Sequence, residues 1–344
     1  MRRPRYPGKN PRAFHLKYKE LQPERYGQDV AKIVAAGKTP AGTHRPIMVD
    51  EILRVLAPRP GDIAVDCTLG FGGHARAVLE RVIPGGRLVG VDVDPIELLR
   101  TEARLRAAGF GEDVFIARRT NFAGLAAVLA HVDVDGADVL LADLGVSSMQ
   151  IDNPERGFTF KSEAPLDMRM NPTRGEPAAA LLARLDAPSL ATLLVEHADE
   201  PHAEAIARRV AGQELVTTRA LADEVRQAVI EARPHAWEQA ADASVRRVVQ
   251  TLRIAVNDEL SALDALLRTL PACVRPGGRV AILTFHSGED RRVKKAFQAG
   301  RRAGLYRPGA DEVIRASAAE VRANPRASSA KLRSVVRASR IFQS

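Results

Sequence analysis

Five short apolar runs punctuate the chain: "DIAVDC" (62–67), "RLVGVD" (87–92), "DVFIA" (113–117), "DVLLAD" (138–143) and, much later, "GGRVAILTF" (277–285). Their length and β-branched content predict buried strands. Between the first four, apolar residues recur at helical spacing over roughly 75–82, 95–108 and 122–131. Strand and helix in alternation predict an α/β fold with a parallel sheet and crossover helices. The gap before the fifth run has no β-rich stretch. Its segments "AAALLARL", "PSLATLLVEHA", "HAEAIARRVAG" and "TRALADEVRQAVIEA" have helical spacing, with Pro188 and Thr218 at helix starts. The pattern predicts a helical insertion over 155–243. A long helix, 244–270, then brings the chain back to the sheet. The predicted organisation is an N-terminal arm (1–43), a discontinuous α/β domain (44–154 and 244–344) and the inserted helices.

Composition agrees with a soluble globular protein: of 344 residues, 45% are hydrophobic and 27% charged. No apolar run approaches the roughly 18 residues of a membrane span. The first residues, "MRRPRYPGKNPRAFHLKYKE", are basic with no apolar stretch behind them, unlike a secretory signal. Two cysteines, Cys67 and Cys273, support neither a disulfide framework nor a Cys-based zinc site, and the scattered histidines propose no metal. The expected compartment is a reducing cytoplasm.

Charge adds a partner to this picture. The net +9 divides into +7 over 1–43, −9 over 44–290 and +11 over 291–344. Two basic arms around an acidic body suit a polyanion, although solubilising tails would have the same charge. All four tyrosines (Tyr6, Tyr18, Tyr26 and Tyr306) lie in these arms. Aromatics among cations suit stacking on unpaired bases, or they pin the arms to the body.

The first strand leads into Gly70-Phe71-Gly72-Gly73-His74-Ala75, in which Gly70, Gly72 and Ala75 satisfy G-x-G-x-x-A. By itself this is a tight strand-to-helix turn or a dinucleotide site. Asp92, closing the second strand, is placed for ribose hydroxyls in either a dehydrogenase or a methyltransferase. Two acids favour S-adenosylmethionine over NAD. Asp66, four residues before Gly70, would repel a pyrophosphate but attract a cationic amino-acid ligand. Asp143 opens "DLGVSS" at the carboxyl edge of the fourth strand, where open α/β sheets do their chemistry. A sulfonium ligand is cationic and carries no phosphate, so acids around it are favourable.

Several stretches together, "DCTLGFGGHARAVL", "DLGVSSMQIDNPERGFTFKSEAPLDMRMNP", "TLRIAVNDEL", "FHSGEDRRVKKAF" and "NPRASSAKLR", closely resemble the bacterial 16S ribosomal RNA cytosine-N4 methyltransferase family, the MraW type. The resemblance runs from about His44 to Arg337. It implies a Rossmann-like S-adenosylmethionine-dependent methyltransferase fold with an inserted helical domain. It also implies methylation of a cytosine amine in the decoding region of 16S rRNA, with the small ribosomal subunit as partner. Cofactor contacts would fall on Gly72, Gly73, His74, Asp92, Phe122, Asp143 and Gln150. The chain departs from the family at Gly288, where leucine is common, and in "HADEPHAEAIARR", which has Pro201 and His202 in place of Arg and an aromatic; 233–249 diverges too. The basic N-terminal arm is longer than the family needs.

Direct methyl transfer to an amine needs no covalent enzyme intermediate, whereas methylation at cytosine C5 generally uses a Cys nucleophile. Neither cysteine has a Pro-Cys setting, and both read as buried small residues. Asp143 is the first candidate to accept an amine proton. A stacking aromatic would come from Phe158, Phe160 or Phe285, each of which also suits a core position. In "FHSGEDR", His286 is the second catalytic candidate, with Glu289 and Asp290 beside it. The alternative is a helix start with Ser287 as cap and Asp290 three residues on. Asp167 and Arg169 either shape the base pocket or pair with each other. The competing functions are methylation of another RNA and a non-catalytic ribosome-assembly factor that binds RNA. Monomer and homodimer are both open.

Overall fold

The computed structural model describes residues 46–233, 238–310 and 312–339. The N-terminal arm, with Tyr6, Tyr18 and Tyr26, lies outside them.

The sheet runs β3-β2-β1-β4-β5-β8-β6, with β7 paired to β8. Its strands are β1 (Ile63–Asp66), β2 (Arg87–Asp92), β3 (Phe115–Arg119), β4 (Ala137–Asp143), β5 (Val274–Thr284), β6 (Tyr306–Pro308), β7 (Ile314–Arg315) and β8 (Lys331–Arg337). The first five pair in parallel; β8 is antiparallel to β5, β6 and β7. The order reverses at β1, which opens a crevice at the carboxyl ends of β1 and β4. Both faces of the sheet are covered, and alternate residues of each strand feed two cores. Val65, Val89, Leu140 and Ile282 join the helices α4 (Leu125–His131), α11 (Glu259–Cys273) and α12 (Ser287–Arg302). Ala64, Leu88, Leu141 and Leu283 join α1 (Val49–Leu56), α2 (Gly73–Val82) and α3 (Pro95–Ala107). This is a Rossmann-like doubly wound fold.

A third core lies away from the sheet. It joins Phe158, Leu166 and Met168 to α6 (Ala178–Arg184), α7 (Ala187–Ala198), α8 (Ala203–Val210), α9 (Thr218–Ala232) and part of α10 (Glu238–Asn257). Short α5 (Ser148–Asp152) follows β4, and α13 (Ala318–Ala323) precedes β8.

Four expectations change. The long helix 244–270 is two helices, because Asp258 is left-handed (φ 49°) and breaks the chain between α10 and α11. The third strand begins two residues later than the apolar run does, since the Val114 and Phe115 amides close a turn on the Gly111 carbonyl. Residues 291–339 are not an arm: they supply α12 and three strands, with β8 seated between β5 and β6. Tyr306, expected to stack on bases or to pin the arm, is a core residue only 6% exposed, edge-on to Phe297.

Candidate active site

Three carboxylates close β1, β2 and β4 around the glycine turn. Asp66 accepts a hydrogen bond from the Thr68 amide at 3.0 Å. Thr68 in turn accepts at its hydroxyl from the Asp143 amide (2.7 Å), which ties the ends of β1 and β4 together. Asp92 accepts from the Gly70 amide through Oδ2 (2.7 Å) and from the Asp94 amide through Oδ1 (2.8 Å). The turn therefore hangs on the acid of the neighbouring strand. Gly72 is left-handed (φ 80°), and a Cβ there would stand 2.6 Å from Thr101 Cγ2. A Cβ on Gly73 would press equally hard on Pro46. Both glycines let the turn and the start of α2 lie flat against their neighbours. Phe122 opens a single 3-10 turn after β3, whose last residue, Arg119, is paired with Asp92.

The electrostatics of this crevice are those of crowded anions. Burial pushes the Asp66 carboxyl up to about 6, and the Asp143 charge adds to the rise against the Thr68 hydrogen bond and His74. Burial also pushes Asp92 up to about 6, with Asp94 and Asp66 adding to it. His74 Nε2 lies 3.4 Å from Asp143 Oδ2, but out of line for a hydrogen bond. Both ring nitrogens are buried without a partner. Asp143 keeps 24% of its side chain exposed, and among the described residues only the His74 ring is paired with it. Carboxylates short of counter-charge beside an orphaned imidazole fit a cationic ligand with hydroxyl and amine groups. Pyrophosphate would not fit them.

Gln150 lies one layer further out. Its Oε1 accepts from the Ser147 amide and its Nε2 donates to Asp94 Oδ2 at 2.9 Å, so both ends of the amide are engaged within the protein. Asp94, fully buried, caps α3 through the Ile96 and Glu97 amides and pairs with Arg156 at 2.8 Å. Arg156 also donates to the Arg169 and Met170 carbonyls. The Asn257 amide fixes the same loop by accepting from the Met170 amide and donating to the Met168 carbonyl. This is why "NPERGF" and "LDMRM" occur together: they are two sides of a clamp joining the helical core to the crevice. Asp167 and Arg169 form a bidentate ion pair, with contacts of 2.9 and 2.7 Å. Arg156→Ala strands Asp94 as a buried unpaired charge and is expected to cost about 3–5 kcal/mol. Urea denaturation would show this loss, and adding Asp94→Asn should recover part of it.

His286 follows β5 at the same edge, three residues beyond Leu283, which is level with Asp143 in the sheet. It caps α12: Nδ1 accepts from the Glu289 amide, and Nε2 is 3.1 Å from Glu289 Oε1. The capping box is therefore His286 with Glu289, not Ser287 with Asp290. Burial opposes ionisation of Glu289, but His286 and Arg253 outweigh it and hold the carboxyl low. Asp290 is committed elsewhere, to Lys331 (2.9 Å) and Arg333 (2.6 Å) on β8. Ser287 donates to Asp199 of the helical region.

Of the three aromatic candidates, Phe158 is buried in the helical core and Phe160 packs against it. Only Phe285 reaches the catalytic edge. A Cβ built on Gly145 would lie 4.0 Å from Phe285 and 3.9 Å from Arg253 Nη1. Sequence reasoning gave no role to Arg253, which a bidentate bond to Glu259 (2.8 and 2.9 Å) holds at this edge. Nor did it give one to Thr68, whose signal is a hydroxyl two residues past a strand-end acid. Both cysteines are buried, and burial pushes the Cys67 thiol well above its usual value and raises Cys273 as well.

The MraW methylase family model matches residues 41–338. The chain belongs to this family. Ribosomal RNA small subunit methyltransferase H 2 of Alkaliphilus metalliredigens is 46% identical over 342 residues, covering 98% of this chain and 97% of that protein. The corresponding H 1 protein of Lachnoclostridium phytofermentans is 44% identical, over 98% and 93%. These two alignments reach into the N-terminal arm. That with ribosomal RNA small subunit methyltransferase H of Syntrophotalea carbinolica (42% identical) covers 86% of this chain and 98% of its relative. Some of this chain's MraW relatives therefore align with most of the arm as well. No helix among the described residues is long and apolar enough to cross a membrane.

Proposed function

We propose that this MraW-family chain methylates the exocyclic N4 amine of a cytosine in the decoding region of 16S rRNA. Its cofactor is S-adenosylmethionine and its partner the small ribosomal subunit, in the cytoplasm. The observation that carries the reading is the ring of Asp66, Asp92 and Asp143 around the glycine turn, short of positive charge. Small-subunit rRNA methylation in the names of close relatives supports it.

When bound, the cofactor supplies an electrophilic methyl group on a cationic sulfur. Asp92 would take the cofactor's hydroxyls on the lone pairs left free by the Gly70 and Asp94 amides. Asp66 would supply counter-charge to its cation, and Gly72, Gly73, His74 and Phe122 would complete the pocket. Gln150 acts by holding Asp94, hence the start of α3. At the catalytic edge, Asp143 accepts a hydrogen bond from the target amine and draws off its proton, which localises the nitrogen lone pair. His286, fixed by Glu289, and Phe285 stand beside the target base. The two cysteines, buried as high-pKa thiols, present no thiolate for a C5 adduct.

Mass spectrometry of small-subunit rRNA from cells lacking this protein tests the reading directly: N4-methylcytidine should disappear. An unchanged rRNA would leave methylation of another RNA, or a non-catalytic assembly role. Cofactor binding has its own test. Asp92→Ala removes charged hydrogen bonds worth about 1.5–3 kcal/mol each and frees the Gly70 amide. Calorimetry should show S-adenosylmethionine binding weakened tenfold or more; tight binding of NADH by the wild type would overturn the assignment.

A further inference from the structure

The cations of α12 are not scattered. Val293, Phe297 and Gly300 face the core, while Arg291, Lys294, Lys295, Arg301 and Arg302 are exposed, with Gln298 between them. Steps of three, four and seven residues put these five on one stripe of the helix. The helix contains no acid beyond Glu289 and Asp290, both buried in its first turn. Arg291 meets Asp199 at 3.4 Å, and Arg292, off the stripe, meets Asp264. None of Lys294, Lys295, Arg301 and Arg302 pairs with an acid among the described residues. At 1.5 Å per residue the stripe is about 17 Å long. It begins one turn from His286, at the edge where Asp143 ends β4.

Such a row is costly unless something anionic lies along it, since like charges at this spacing repel. Its direction fits a strand leaving the catalytic edge better than a duplex, because the cations line a single helix face no more than two abreast. We propose that this face of α12 is a track for the single-stranded RNA flanking the target nucleotide, with successive phosphates seated on Arg291, Lys294/Lys295 and Arg301/Arg302. The inference rests on the RNA-methyltransferase reading above. It moves the RNA grip from the charged arms to a helix that starts at the site of chemistry, so that holding the flanking strand also places the base.

The test combines Lys294→Ala, Lys295→Ala, Arg301→Ala and Arg302→Ala in one full-length protein. All four residues are exposed, so the fold should survive; circular dichroism and unchanged S-adenosylmethionine affinity would confirm it. The control is a second full-length protein with Arg54, Arg76, Arg81 and Arg219 replaced by alanine, which makes the same change in net charge elsewhere. Binding is measured to small ribosomal subunits from cells lacking this protein, at 50–200 mM salt (approximate range). Each lost phosphate contact should flatten the log–log salt slope by about 0.7, hence by roughly 1.4 for the two phosphates seated on the four replaced residues. KM for the subunit should rise about tenfold at the upper salt while kcat holds, because cation contacts to phosphate position without touching the reacting atoms. An unchanged slope and KM in the stripe variant, or equal flattening in the control, would overturn the track while leaving the methyltransferase reading intact. A wild type that neither binds nor methylates the subunit would remove both.

Discussion

Asp143→Asn is expected to slow methylation of the small-subunit substrate by about 10²–10⁴-fold, the usual contribution of a positioned acid–base group. Folding stability should hardly change. The reason lies in how the carboxylate is held. The backbone amide of Asp143 is anchored to Thr68, so the residue's place is fixed by main chain, while its side chain makes no hydrogen bond among the described residues. The His74 ring is 3.4 Å away and misaligned. An isosteric amide therefore leaves the scaffold unchanged and removes only the acceptor that would take the amine proton. Cofactor binding, measured by calorimetry, should weaken far less than turnover. Replacing Cys67 and Cys273 together by alanine should have the opposite profile: some stability lost from the core, methylation retained. If the double Cys variant is folded and inactive, and wild type traps a protein–RNA adduct, the chemistry is at C5 instead. If Asp143→Asn retains full turnover, proton removal falls to another group, with His286 the next candidate along the same edge.

The legible and illegible parts of the molecule divide along physical lines. Parallel strands buried on both faces read as continuous apolar runs, so β1, β2, β4 and β5 stood out, and the acids at their ends marked the edge where a cationic ligand fits. β8 was missed because "KLRSVVR" spaces its apolar residues with cations, and two of these, Lys331 and Arg333, are spent on Asp290. Net charge counted them as free. The same arithmetic made an arm of α12, although the helix hides its two acids and Phe297 on one face. Tertiary hydrogen bonds were beyond reach as well. Nothing local in the sequence says that Arg156 ends on Asp94, or that Asn257 closes on Met168 and Met170 across 89 and 87 residues. Family resemblance supplied Gln150 as a cofactor contact; in the structure its side-chain amide bonds Asp94 and the Ser147 amide.

The glycine turn itself was legible, but its energetic cost was not, and that cost has an observable consequence. Asp66→Asn is expected to stabilise the ligand-free protein at neutral pH while weakening its hold on S-adenosylmethionine. Burial, with the Asp143 charge adding to it, raises Asp66 from 3.8 to about 6. An acid whose pKa is higher in the folded chain than in the unfolded one binds its proton more tightly in the native state. Stability therefore falls as pH rises through that window, and the full cost is present above it. A shift of about two units, at 1.36 kcal/mol each, amounts to about 3 kcal/mol at pH 7. Asparagine has no charge to desolvate and keeps an oxygen for the Thr68 amide. Its melting temperature should exceed that of wild type by several degrees at pH 7–8 (about 2–4 °C per kcal/mol in domains of 150–250 residues), and the two should converge near pH 4. A cationic ligand reverses the balance, because it offers Asp66 the counter-charge that the protein withholds. The ratio of wild-type to Asp66→Asn affinity should then be tenfold or more at about pH 8 and close to one at about pH 5, where the wild-type carboxyl is largely protonated. Burial, the largest cause of the Asp92 rise, persists in the variant, where only the Asp66 contribution is lost, so the ratio, rather than either curve, reports chiefly on Asp66. A ratio that stays flat across this range, by calorimetric titration at fixed ionic strength, would show that the ligand's charge is met elsewhere in the crevice. The instability of the empty site would then be unconnected with binding.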